Sequence, residues 1–246
     1  MVSSVGTTTA STSLLSQAIT AAKSNAAANA ASASSSTSTS ASSSSGSLSS
    51  LGGNFNQFLT LLTTQLQHQD PSNPTSTDSF TAELAQFAGV QQQVETNTNL
   101  SSLISATQDN QMASAVSLIG KTTTASSSSL PLQSGSASLS FTAPQTGNVA
   151  IAVTDSTGTV VKSETVNASV GANTWTWDGK NNSETQLSDG AYTVAVEGSS
   201  TDGTSVALPT TITGTVTGVS KGTTGVNIDM GGASIDMSDL TGFSST

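Results

Sequence analysis

This chain has no cysteine, no arginine and a single histidine, and charged and aromatic residues make up only 8% and 4% of its 246 residues. Each shortage excludes something. Without cysteine there is neither a disulfide framework nor a thiolate metal site. The cations are five scattered lysines, Lys23, Lys121, Lys162, Lys180 and Lys221, against a formal net charge of −10. Nucleic acid, which needs clustered positive charge, is therefore excluded as a partner. His68 sits among glutamines, so no Ser-His-Asp or Cys-His arrangement can be built around it. The carboxylates Asp155, Glu164, Asp178, Glu184, Asp189, Glu197 and Asp202 fall mostly at turns and form no converging acid–base pair. The segment Asp178 to Glu184 has carboxylates and amides suited to calcium but places its glycine second instead of sixth, which reads as a hairpin loop. The expectation is a non-enzyme with no catalytic residue, no cofactor and no metal. The start, MVSSVGTTTASTSLL, lacks the basic and apolar regions of a Sec-type signal peptide. No run is long enough to cross a membrane as a helix.

What is present falls into regions of different texture. Residues 1–50 are Ser, Thr and Ala with little to bury, and read as a disordered leader carrying an export signal. A short apolar patch at Leu14, Leu15, Ala18 and Ile19 offers a transient helix as a secretion or docking signal. Residues 51–119 read as a long amphipathic helical region. Phe55, Phe58, Leu59, Leu62 and Leu66 recur at steps of three and four and share one face. Asp70-Pro71 and Asn73-Pro74 end that helix, because proline donates no N–H and biases the preceding residue out of the α region. Asp78 or Ser79 caps the next helix, whose stripe runs through Phe80, Leu84, Phe87, Val90 and Val94 and resumes at Leu100, Leu103, Ile104, Met112, Val116 and Ile119. The polar stretch Glu95 to Asn99 leaves open one helix or two.

Burying each large apolar side chain contributes roughly 1.5–3 kcal/mol. Fixing each backbone residue costs roughly 1–2 kcal/mol. The first helix, with five such side chains, therefore needs another surface to lie on. The glutamines around it, Gln65, Gln67, Gln69, Gln86 and Gln91 to Gln93, let like chains pack without charge repulsion. Phe55, Phe58, Leu59, Leu62, Leu66, Phe80, Leu84, Phe87 and Val94 are accordingly the expected partner-binding face.

Gly120-Lys121 stops the helices and an all-β half begins. Val149, Ile151 and Val153, like Tyr192, Val194 and Val196, are read as alternating with solvent-facing positions, so one face of each strand is buried. Short strands joined by Asp155-to-Gly158, Ser188-to-Gly190 and Thr201-to-Gly203 turns indicate an immunoglobulin- or fibronectin-type sandwich over 135–200. Trp175 and Trp177 share a strand face, and at least one is expected in the core. Strands beyond Ser200 are too few for a core of their own and are expected to be completed by strands before the sandwich. That makes 120–134 and 201–246 a small β-barrel into which the sandwich is inserted.

The stretch FLTLLTTQLQHQDPSNPTSTDSFTAELAQF, from Phe58 to Phe87, resembles the N-terminal signature of the flagellar hook-capping, or hook assembly scaffold, family (FlgD). TWTWDGKNNSETQLSDGAYTVAVEG resembles that family's W-D-G … L-x-x-G-x-Y sandwich segment. Together the resemblance covers roughly residues 50–243, and the Ser/Ala-rich leader has no counterpart in it. It implies a tudor-like barrel with an inserted sandwich and a protein exported through the flagellar type III apparatus. It also implies a pentameric cap at the distal end of the growing hook, where incoming hook protein subunits are placed. Gln91 stands where the family often carries an acidic residue. The competing expectation is a secreted β-sandwich module on a flexible stalk that recognises glycans or protein, a reading that Trp175 and Trp177 exposed together and a monomer with a dispensable N-terminal half would favour. A hydrolase is a third reading, for which two carboxylates must converge in a pocket.

Overall fold

The computed structural model describes residues 5–35, 60, 77–222 and 225–244, with the side chains of 5–11, 32–35, 77–84, 87 and 244 outside that description. The chain divides into two units, Met1–Thr37 with Gln108–Thr246, and Ser38–Thr107.

Helix α1 (Val5–Ser35) occupies most of the expected leader. Where the sequence reads as disordered, the structure has an ordered helix packed on the β half, and the reason lies in alanine. Alanine is the best helix former, yet an alanine stripe is too weakly apolar to register as an amphipathic pattern. Leu14, Ala18, Ala22 and Ala26 recur every fourth residue and are all buried.

Helix α2 (Thr77–Ala115) runs unbroken for 39 residues. The polar stretch in its middle does not interrupt it, because its hydroxyls bond back to the preceding turn. Thr96 Oγ1 donates to Gln92 O at 2.7 Å and Thr98 Oγ1 to Val94 O at 3.0 Å. Ser101 and Ser102 do the same with Asn97 and Thr98. These groups are satisfied inside the helix instead of competing with it. A 3-10 turn at Val116–Leu118 follows. The chain then turns at Gly120, whose φ of 82° suits glycine, and whose N–H donates to Val216 O at 2.9 Å.

The strands are β1 (Thr122–Ser126), β2 (Ser129–Leu132), β3 (Ala137–Ala143), β4 (Gly147–Thr154), β5 (Val160–Ala168), β6 (Gly171–Trp177), β7 (Gly190–Ser199), β8 (Ser205–Ala207), β9 (Thr210–Thr215), β10 (Gly218–Lys221), β11 (Val226–Met230), β12 (Ala233–Asp236) and β13 (Leu240–Ser244). The alternating sets Val149–Val153 and Tyr192–Val196 fall on β4 and β7, and Trp175 and Trp177 on β6. One sheet has the order β13-β1-β9-β3-β6, a second β2-β7-β4-β5 with β8 beside β7, and a third β10-β11-β12. Leu139, Phe141, Trp175 and Trp177 of the first sheet and Leu130, Ile151, Val153, Val194 and Val196 of the second share one core, which also takes in Val226, Ile228 and Met230 of the third.

Two expectations are corrected here. The sheets are not closed into a barrel; the β10-β11-β12 meander is a separate open sheet. Nor is there a structural break where the inserted sandwich was expected to begin and end. β9 pairs with β1 on one side and β3 on the other, so one sheet and one core run across that boundary. β1, which precedes residue 135, pairs with β13 as well as β9. Periodicity says which face of a strand is buried but not which neighbour it takes.

β4 is buried on both faces from Val149 to Thr154. Val149, Ile151 and Val153 point into the core between the sheets. The residues between them are Ala150 and Ala152, which with Ala195 of β7 meet Leu14, Ala18 and Ala22 of α1. The outer face of this sheet is thus not solvent-facing as expected but an alanine floor under a helix.

Candidate assembly surfaces

Of the expected partner-binding face, Phe55, Phe58, Leu59, Leu62 and Leu66 lie outside the described residues, as do His68 and the QDP bend. Phe80, Leu84 and Phe87 fall on α2, with side chains outside the description, and Val94 is half-buried. Further along α2 the described side chains include Val90, Leu100, Leu103 and Ile104 in exposed positions, Leu103 at 63% and Ile104 at 58%. At about 100° per residue, positions 80, 84, 87, 90 and 94 share one face of a helix, and 100, 103 and 104 lie on roughly the opposite one. Position 112 returns to the first face, and there Met112 packs against the β core. The sequence pattern treats these residues as one resumed stripe; the continuous helix puts their positions on two different faces. From Thr77 to Ala115 the charges are Asp78, Glu83, Glu95 and Asp109, all acidic, and none falls between Thr96 and Gln108. The positions around 100, 103 and 104 thus lie on neutral surface, while Glu83 shares the first face.

The second surface is the seat of α1. Besides the alanine contacts, Asn25 Nδ2 donates to Val194 O at 3.3 Å and Asn29 Nδ2 to Thr193 Oγ1 at 3.2 Å. Thr154 Oγ1 lies 3.4 Å from both Ala22 O and Thr193 O. Sequence reasoning found the patch around Leu14 to Ile19 but missed its receptor. The signal was the run of small residues at the outward positions of β4 and β7.

The W-D-G … L-x-x-G-x-Y segment is architecture. Trp177 is 1% exposed, donates through Nε1 to Lys180 O at 2.8 Å, and meets the Tyr192 ring edge-to-face at 5.0 Å. Tyr192 Oη donates to Ser188 O at 2.8 Å. Gly179 has φ 70°, and a Cβ there would stand 2.9 Å from Gly135 O. Asp189 accepts from the N–H groups of Ser134 and Gly135 at 2.7 and 2.9 Å. Trp175 is buried too and donates to Glu164. The exposed tryptophan pair that would favour a glycan-binding module is therefore absent. In the Asp178-to-Glu184 loop the Lys180 ammonium lies 3.9 Å from Asp178 and 3.8 Å from Glu184, placing a side-chain cation among those carboxylates.

Two turn aspartates have carboxyls held below their usual range. Burial pushes Asp155 up, but hydrogen bonds from the Thr157 hydroxyl and the N–H groups of Thr159, Thr157 and Gly158 together outweigh it. Asp202 is lowered chiefly by the Thr204 hydroxyl and N–H. Both are turn-capping groups, each bonded within its own loop. Burial, with Asp155 and Asp189 nearby, pushes the Tyr192 phenol up. Among the described residues no group of three or more His, Cys, Asp or Glu is arranged to hold a metal, and no helix is long and apolar enough to cross a membrane.

Exposed apolar side chains on a long helix without basic residues, and a β half whose polar motifs serve its own turns, are the features of a structural assembly protein. Comparison with known proteins gives the same class. The family described as "Flagellar hook capping protein - N-terminal region" matches residues 6–102, and "FlgD Tudor-like domain" matches 110–241. The chain is 31% identical over 186 residues to the basal-body rod modification protein FlgD of Salmonella typhimurium, covering 72% of this chain and 80% of that protein. It is 30% identical, with the same coverage, to FlgD of Escherichia coli. A crystal structure of FlgD from Xanthomonas campestris is 25% identical, covers 55% of this chain and 99% of that one, and has a TM-score of 0.47. This chain belongs to the FlgD family of flagellar hook-capping proteins, and its role is that of a scaffold in flagellar assembly. The match from residue 6 corrects the expectation that the leader has no counterpart in the family.

Proposed function

We propose that the protein caps the distal end of the growing flagellar hook as a homo-oligomer, a pentamer, and promotes polymerisation of hook protein subunits. It reaches that end from the cytoplasm through the flagellar type III export apparatus. The observation that carries this reading is the exposed apolar surface of α2, Leu100, Leu103 and Ile104 on one face and Val90 on another. The first three stand on a stretch with no charge from Thr96 to Gln108, and such surface is characteristic of interaction sites. Patches on two faces suit a head-to-tail ring, in which each subunit meets its two neighbours through different surfaces. The residues Phe55, Phe58, Leu59, Leu62, Leu66, Phe80, Leu84, Phe87 and Val94 complete the helical assembly face in this reading. Contacts that are marginal alone can exchange as each hook subunit is inserted. The test is Leu62→Asp and Phe87→Asp in cells. Both variants should abolish hook growth while circular dichroism of the purified chains retains the β signal; normal hooks from both would overturn the assignment.

A further inference from the structure

The seat of α1 points to a second interaction surface. We propose that the alanine floor formed by Ala150, Ala152 and Ala195 is a helix receptor, and that in the assembled protein it accepts α1 of a second copy. This inference rests on the self-association proposed above.

The floor is shaped for one kind of occupant. Ala18, Ala22, Ala150 and Ala152 are each 0% exposed, so helix and sheet approach as closely as methyl groups allow, and a larger side chain at any of these positions would hold them apart. The amide groups of Asn25 and Asn29 add direction by reaching a carbonyl and a hydroxyl of β7. A helix with large side chains at the positions of Ala18 and Ala22 does not fit; α1, with alanine at both and Leu14 one turn before them, does.

Nothing in the contact prefers the chain's own sheet over an identical one. α1 carries a single charge, Lys23, which is exposed, and no ion pair fixes the helix to β4 or β7. Residues 36–76 separate α1 from α2, a connection of about 40 residues, long enough in sequence for α1 to seat on a neighbouring copy. Exchanging an identical element between copies keeps every contact of the closed subunit and adds a link between subunits.

The absence of cysteine makes the test clean. Asn29→Cys and Thr193→Cys place thiols where the two side chains now hydrogen-bond, and a short bismaleimide joins them. The two single variants of the full chain are mixed across a concentration series in which sedimentation velocity reports the oligomer. Interchain cross-linking that rises in step with the oligomer, and falls at least tenfold when Ala22→Asp is added to the Asn29→Cys chain, is the expected result. An oligomer that gives no interchain product, while the double variant Asn29→Cys/Thr193→Cys cross-links within one chain, overturns the exchange and leaves self-association standing. No oligomer and no interchain product at any concentration overturns both.

Discussion

Lys221 Nζ lies 3.1 Å from Asp109 Oδ1, joining the strand β10 to the last turns of α2 across 112 residues of sequence. Beside this pair Met112, Ala115 and Leu118 pack against the β core. Both charged side chains are substantially exposed, so solvent screens the attraction. Lys221→Ala is expected to change unfolding free energy by no more than about 1 kcal/mol. Met112→Ala, which removes apolar packing, should cost more, and urea denaturation of the two variants measures the difference.

The exposed patch on α2 gives a sharper contrast. Leu103→Asp and Ile104→Asp remove side chains that are 63% and 58% exposed, so monomer stability should stay within about 0.5 kcal/mol of the parent. Self-association should weaken at least tenfold by sedimentation. A variant that unfolds at lower urea but associates normally would remove this patch from the assembly surface.

Around Trp177 the expectation is reversed. Trp177→Ala empties a buried site and should destabilise the fold by about 3–5 kcal/mol. Tyr192→Phe, which loses only the bond to Ser188 O, should cost about 1 kcal/mol. Thermal or urea unfolding of the two variants checks the ranking.

The lowered carboxyls set an acid limit. Asp155 and Asp202 have folded pKa values below the 3.8 of the free group. Their stabilisation is therefore fully present above pH 3.8 and is lost as pH falls through the folded values. Tyr192 works at the other end: raised above 10.0, it stabilises below pH 10.0, and that contribution is lost as pH rises through its folded value. Between roughly pH 5 and 9 none of the three alters stability. Asp155→Ala should flatten the acid limb and Tyr192→Phe the alkaline limb of a pH series of unfolding midpoints.

Much of the β half is legible in the sequence because its signals are local. Turn residues such as Asp155 and Asp189 mark the loops, and Val149, Ile151 and Val153 mark a buried face. Two features escaped for physical reasons. Strand partners are set at long range, so nothing in Thr210 to Thr215 announces that this strand lies between β1 and β3. Alanine is neutral in every pattern that separates apolar from polar, so Ala22 and Ala26 looked like leader and Ala150 and Ala152 like gaps between valines. On α2 each apolar residue was visible, but the turn from one face to the other appears only once the helix is known to be continuous.

The position of β9 has a mechanical corollary. Because its ladder bonds run to both sides, the two parts of the β half cannot swing against each other without tearing a sheet, and loads on one are carried straight into the other. A fragment cut at residues 135 and 200 would bare the flank of β3 and invite strand-to-strand clumping.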